Sequence, residues 1–425
     1  LGGHIRIRIG MASIVSTHPI GDDARVIGVV GLAHAASHFS QLLLAPLFPW
    51  LKADFGLSYS ELGLLLAVFY IVSGFAQPAA GFLVDRIGAV YVLLGGLFLV
   101  GLAATGFALS QNYLMFILSS GVAGLGNCVF HPADFTLLNR RVSSTRLGHA
   151  YSVHGITGSL GWAVAPLLLV PLTLMYSWRV ALLAAAALIF LVFGIVWLMR
   201  HRLVLEMPAA VPRHVAALTP QPHWREQFSF LSIPAVWMCF VFFFATAIVL
   251  SGVQSFGTEA ARQLHDMPLN LVALCLSIYM LANAVGMAIG GFLISDPERC
   301  ERVILGGFSF AALVGLVIGF ASVPGYVVPI LFGLMGLGAG ISGPSRDMLV
   351  KRSAPDNASG RVFGVVYSGL DAGMAVGPLI YGGLMDMGQP ALVWLAMACF
   401  QACMIVSAFK VRRVRRTVRS TLSRA

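Results

Sequence analysis

The chain is written twice from one plan. Laid on itself at an offset of 212 residues, Gly121 to Pro166 matches Gly333 to Pro378 without a gap, with 13 identities in 46 positions. Gly124, Gly126, Pro132, Arg140, Gly161 and Pro166 stand against Gly336, Gly338, Pro344, Arg352, Gly373 and Pro378. A duplication of this size in the same direction implies two homologous halves, and in membrane carriers such halves flank a site that lies between them.

The halves belong in a bilayer. The chain is 58% hydrophobic and 10% charged, far from soluble usage of about half apolar and a quarter charged. Apolar runs of about 20 residues or more, enough for roughly 30 Å of hydrocarbon, recur near 26–51, 61–84, 89–110, 113–138, 150–173, 179–199, 230–254, 270–294, 303–322, 326–350, 362–385 and 391–409. The expected fold is an all-α membrane protein, twelve transmembrane helices in two pseudo-symmetric six-helix bundles. Its expected parts are an N-tail (1–25), an N-terminal bundle (26–199), a linker (200–229), a C-terminal bundle (230–409) and a basic tail (410–425). Pro208, Pro212, Pro220 and Pro222 among mixed charges mark the linker. The connection from Phe256 to Pro268 reads as a short amphipathic lid.

Charge sets the orientation. Every Lys and Arg except Lys52, Arg179, Arg262 and Arg346 falls in segments that share one side with both termini. By the positive-inside rule that side is cytoplasmic, so the expected location is a plasma membrane of bacterial inner-membrane type. The net charge of +10 is then explained by topology and by anionic lipid around the Lys410 to Arg419 cluster, and nucleic acid is not an expected partner. Met11 reads as the natural start, and no cleavable signal pattern precedes the first span. The six cysteines form no C-x-x-C and predict no disulfide; Cys399 and Cys403 read as small packing residues.

After the second span, Gly81-Phe82-Leu83-Val84-Asp85-Arg86-Ile87-Gly88 resembles the loop between helices 2 and 3 of the major facilitator superfamily, with a weaker echo at Gly291 to Asp296. Ala89 and Val90 stand where that family carries a basic pair. His34 to Leu51, Phe55-Gly56-Leu57-Ser58, Phe130-His131-Pro132 and Gly148 to Pro166 look like the fosmidomycin-resistance-like group within it. The resemblance implies alternating access by two rigid bundles, a cavity lined by the first helix, and gating contacts at Gly81, Asp85, Arg86 and Gly88. Two features of proton/drug antiporters differ: Ser120 replaces an arginine, and no Gly-Gly follows Ala165-Pro166.

Ionisable groups within spans are costly in lipid and mark cavities or partners. His34, His38 and Gln41 recur at i, i+4 and i+7, one face of the first helix. Solute contact or proton relay suits imidazoles there, against the plain alternative of histidines that cap a carbonyl or pack at a crossing. Two histidines at this spacing are compatible with zinc, but no third ligand with recognisable spacing accompanies them, and no metal or other cofactor is expected. His131 and His154 join the candidate solute or proton site. Asp134 falls in register with Arg346, beside Asp347, and opposite charges at symmetric positions suit a gate between the halves; solvation near the inner surface is the alternative. Asp371 lies some 15 Å inside the eleventh span. At that depth a carboxylate favours its protonated form unless a cation such as Arg346 faces it, which suits a proton carrier.

No Ser/His/Asp order or carboxylate pair points to catalysis, so no enzyme is expected. The expected function is secondary active transport of a small solute, an organic anion by the histidines and Arg346, with or without proton coupling, by a monomer. Proton-linked efflux of a drug or antibiotic is the alternative, suggested by the kinship and by Phe240, Phe242, Phe243 and Phe244 in the seventh span. A transporter-like sensor that binds without transport is the third reading.

Overall fold

The structure is a computed structural model and describes residues 19–204, 232, 234–293, 300–353 and 359–422. The expected linker lies outside the described residues from position 205, and the expected N-tail lies outside them up to position 18.

The first half begins with α1 (Ile20–Gln41), which stops where Pro46 and Pro49 follow; after a turn of 3-10 helix at Ala45–Leu47 the chain resumes as α2 (Phe48–Phe55). The run near 26–51 is therefore two helices, because each proline lacks the N–H that a continuing helix requires. Next come α3 (Tyr59–Ile87), α4 (Ala89–Leu109), α5 (Tyr113–Asn127), α6 (Phe130–Arg141), α7 (Leu147–Met175) and α8 (Trp178–Leu203). The run near 113–138 is also broken, between α5 and α6. Pro132 cannot donate to the carbonyl of Cys128 and its ring crowds that turn.

The second half contains α9 (Pro234–Gly252), α10 (Thr258–His265), α11 (Leu269–Leu293), α12 (Cys300–Phe320), α13 (Val328–Ser353), α14 (Ser359–Asp386) and α15 (Pro390–Leu422). A π-helical stretch at Val253–Gly257 joins α9 to α10, so the segment expected as a separate lid continues the seventh span as helix to His265. Among the described residues ten helical segments are long and apolar enough to cross a membrane. With α14 and α15 they give the twelve-helix, two-bundle architecture.

Backbone approach at glycine brings the helices together. A Cβ on Gly161 of α7 would strike the carbonyl of Ala35 on α1, and Gly336 and Gly340 of α13 meet the Tyr279 and Asn283 carbonyls of α11 in the same way. Gly88, at φ +94°, turns α3 directly into α4. None of the six cysteines is in a disulfide, and Cys399 and Cys403 are exposed on α15 instead of packed inside.

The halves meet along two seams, α3 against α14 and α7 against α11. Ser277 Oγ on α11 donates to the Ala163 carbonyl on α7 at 2.8 Å. On the other seam, the start of α3 meets the end of α14. Asp386 accepts from the backbone N–H groups of Tyr59 at 2.7 Å and Ser60 at 2.8 Å. A carboxylate from one half thus occupies the positive N-terminus of a helix in the other. Ser58 and Glu61 complete that terminus with a capping box.

Candidate functional site

The broken fourth span positions the polar centre of the first half. Because α5 stops at Asn127 and α6 restarts at Phe130, Asn127 sits at a helix end, and His131 and Asp134 lie in the first turns of the restart. Irregular backbone at membrane depth persists where side chains or a cavity satisfy it. Asn127 is itself well satisfied. Its Oδ1 accepts from Ser37 Oγ and Gln41 Nε2, each at 3.2 Å, and its Nδ2 donates to Ser73 Oγ at 2.9 Å. Gln41 Oε1 in turn accepts from Trp162 Nε1 at 3.0 Å. One chain of hydrogen bonds therefore links α3, α5, α1 and α7. Sequence reading found Gln41 but missed Asn127, Ser73 and Trp162. The signal available was Asn127 as the lone amide of the fourth span, five residues before Pro132.

Beside this chain the histidines stack. His38 lies 4.1 Å from the Trp162 ring and 4.4 Å from His34, and His34 lies 3.5 Å from His154 with the rings 22° from parallel. Gly158 of α7 makes room for them: a Cβ there would sit 2.9 Å from His38 Nδ1 and 3.1 Å from His34 Nε2. Asp134 is fully buried, and its Oδ2 is 3.1 Å from both His34 Nδ1 and His154 Nε2. His131 is exposed beside them, its ring 5.5 Å from His34. The fold thus gathers His34, His38, His131, Asp134 and His154 from α1, α6 and α7.

Asp371 lies apart from this group, half-buried on α14 at the seam. A Cβ on Gly74 of α3 would be 3.1 Å from its Cβ. Gly74 follows Ser73, so the hydrogen-bonded chain of one half ends one residue from the carboxylate of the other. Arg346 and Asp347 belong to α13, and their side chains lie outside the described residues; the oxygen of Asp134 that meets partners is taken by His34 and His154 within its own half. Gly81, Asp85, Arg86 and Gly88 lie at the far end of α3, with Asp85 and Arg86 exposed, away from both groups.

The sequence reading also missed the contacts opposite that end. Tyr59 Oη donates to Glu259 Oε1 at 3.2 Å, and Gln263 Nε2 donates to Tyr59 Oη at 2.7 Å. Arg262 holds Glu259 through Nε and a second nitrogen, at 2.7 and 2.9 Å. With Asp386 on the α3 terminus, these residues close one end of the seam by hydrogen bonds that cross between halves. The contacts that cross between the halves can break while buried Glu259 keeps its pair with Arg262 in its own half. Of the four phenylalanines on α9, Phe242 and Phe243 are core, while Phe240 and Phe244 stack at 6.3 Å and are half-buried. The backbone of those two lies against Gly369 and Gly373 of α14.

Comparison with known proteins agrees with this geometry. The chain is 24% identical over 302 residues to the Fosmidomycin resistance protein of Escherichia coli (strain K12), covering 70% of this chain and 71% of the relative. It is 25% identical over 379 residues to YfnC, an uncharacterised MFS-type transporter of Bacillus subtilis (strain 168), covering 88% and 89%. Its fold is similar to a bacterial homologue of the human lysosomal transporter Spinster in an inward-facing and occupied conformation, with a TM-score of 0.73 at 14% identity, covering 95% of this chain and 98% of that one. The Major Facilitator Superfamily profile matches residues 30–378 and 267–425, and the chain belongs to that superfamily of transporters.

Proposed function

We propose that the protein is a secondary active transporter that carries a small organic anion between the two faces of the membrane, with Asp371 as its proton-carrying group. The observation that carries this reading is the placement of Asp371 against Gly74, the residue next to the Ser73 end of the Ser73–Asn127–Gln41–Trp162 chain, at a seam between halves whose Tyr59/Asp386 end is held shut. A solute bound there contacts both halves, so its affinity differs between the two ways the seam can open, and that difference is what drives a conformational cycle. The amide of Gln41 and the imidazole of His38 offer donors to the acceptor atoms of an anion, and Arg346 is the symmetry-related position of Asp134 on the second half. Both termini face the cytoplasm in this reading, with the closed end outward.

Asp371 has a carboxylate's capacity to shed or take a proton where the halves part. Among the described residues, Tyr70 on α3 is an ionisable group that interacts with it across the seam. In liposomes carrying a pH gradient, uptake is to be measured for a panel of labelled carboxylates and phosphonates, alongside counterflow without a gradient. The expected result is gradient-driven uptake in the wild type, and counterflow without gradient-driven accumulation in Asp371→Asn. Full proton coupling in Asp371→Asn would remove the carboxylate from the mechanism. Saturable binding of a solute with no flux would support the sensor reading.

Efflux of a more apolar molecule is the second reading. Phe240 and Phe244 favour it, together with the similarity to a fosmidomycin resistance protein. Its test is the drug susceptibility of cells that express the protein: raised resistance that is lost in Phe240→Ala, with the protein still present in the membrane, favours efflux over anion carriage.

A further inference from the structure

We propose that His34, His131 and His154, with Asp134, form a binding site for a divalent transition-metal ion of the zinc class. The solute contacts proposed above, Gln41 and His38, adjoin this site without sharing its ligands, and nothing in the metal argument rests on transport.

The nitrogen atoms that the three histidines can offer lie within 4.8 Å of one another. Four ligands around zinc, with metal–nitrogen bonds of about 2.0–2.1 Å, stand roughly 3.3 Å apart, so the three need to close by about an ångström or less of side-chain rotation each. Asp134 Oδ2 already sits 3.1 Å from both His34 Nδ1 and His154 Nε2, close to that separation. A three-imidazole, one-carboxylate set is a tetrahedral donor array of the kind that zinc accepts.

Two further observations point to a cation. Asp134 Oδ1 is buried with no hydrogen-bond partner. A carboxylate at 0% exposure with one oxygen unanswered carries an uncompensated electrostatic cost, which a divalent ion relieves. The cluster also has one open side: His131 is exposed, whereas His34 and His154 are buried. The ligands come from α1, α6 and α7, and a bound ion would pin the restart of the broken fourth span to the first and fifth.

The two inner ligands are 120 residues apart in sequence from first to last, and His131 lies between them, so no ligand spacing is visible in the chain itself. His34 and His38, the pair whose i, i+4 spacing is visible, are not the pair that shares the site. His38 lies instead between the rings of His34 and Trp162, tilted to both.

The test uses full-length protein purified in detergent and stripped with chelator, titrated with Zn2+ by calorimetry and with Co2+ by its visible absorption. The expected result is one equivalent of tight binding with the intense bands of tetrahedral Co2+. His131→Ala, which alters an exposed side chain, and Asp134→Asn, which keeps the shape of the cluster, should each weaken binding at least tenfold, since even the loss of a residue that only supports a ligand costs about 10- to 100-fold. His149→Ala, exposed elsewhere on α7, should bind as the wild type does. A rise of melting temperature with Zn2+ in the wild type and in His149→Ala, absent from His131→Ala, gives a second readout independent of the affinity. Absence of binding, an octahedral Co2+ spectrum, or affinity unchanged in His131→Ala and Asp134→Asn would overturn the proposal.

Discussion

Asn127 holds three other side chains in place at once. Its amide oxygen accepts from Ser37 and Gln41, and its amide nitrogen donates to Ser73. Replacing it with alanine leaves two buried serines and a half-buried glutamine short of a partner, a cost of about 1–3 kcal/mol for each group stranded away from water. Asn127→Ala should therefore lower the melting temperature in detergent and, by releasing Gln41, weaken solute binding; Ser37→Ala, which removes one donor and leaves the amide accepting from Gln41 and donating to Ser73, should cost less in both measurements. Equal effects of the two variants would mean that Asn127 is not the centre of the chain. At this scale the sequence was partly legible. His34, His38 and Gln41 declare themselves because one helix face repeats at i, i+4 and i+7. The convergence of His131, Asp134 and His154 on that face was not legible, since His34 meets Asp134 across a separation of 100 residues, and local periodicity carries no information about which helices touch.

Elements in this protein are placed by proline and glycine more than by polar contacts. Pro132 divides the fourth span and so turns Asn127 into a helix end; the equivalent Pro344 lies inside α13 without dividing it. The duplication was readable in the sequence, but this difference was not, because a proline in a membrane helix can be accommodated or can break it according to what its neighbours offer the freed carbonyl. Gly161 is the element-scale counterpart: its bare Cα lets α7 rest on the Ala35 carbonyl of α1. Gly161→Val should separate those helices and cost about 1–3 kcal/mol or more through overpacking. Gly148→Ala on the same helix, with nothing within 4 Å of the added carbon, should melt within a degree or so of the wild type, as exposed substitutions usually stay within about ±0.5 kcal/mol. Thermal unfolding of the two variants side by side checks the claim, and equal stability would show that the α1–α7 crossing is not set by this glycine.

At the scale of the whole molecule, the twelve spans and the two halves were legible because hydropathy and an ungapped repeat are written along the chain. The closed end was not: Tyr59, Glu259, Gln263 and Asp386 are ordinary polar residues at helix ends, and only the juxtaposition of α3, α10 and α14 makes them a single contact. The central claim is that the halves alternate between closure at this end and closure at the other. Spin labels on exposed positions can report both ends, Ala53→Cys with Met387→Cys at the Asp386 end and Ile87→Cys with Arg302→Cys at the opposite one. Gly63→Val supplies the perturbation, because a side chain there strikes the Pro378 carbonyl of α14 and opposes closure of the Asp386 end. The account predicts that Gly63→Val lengthens the Ala53–Met387 distance and shortens the Ile87–Arg302 distance in the same sample, measured by pulsed electron paramagnetic resonance. If one end opens and the other keeps its distance, the halves do not rock about a shared site, and alternating access as described is contradicted.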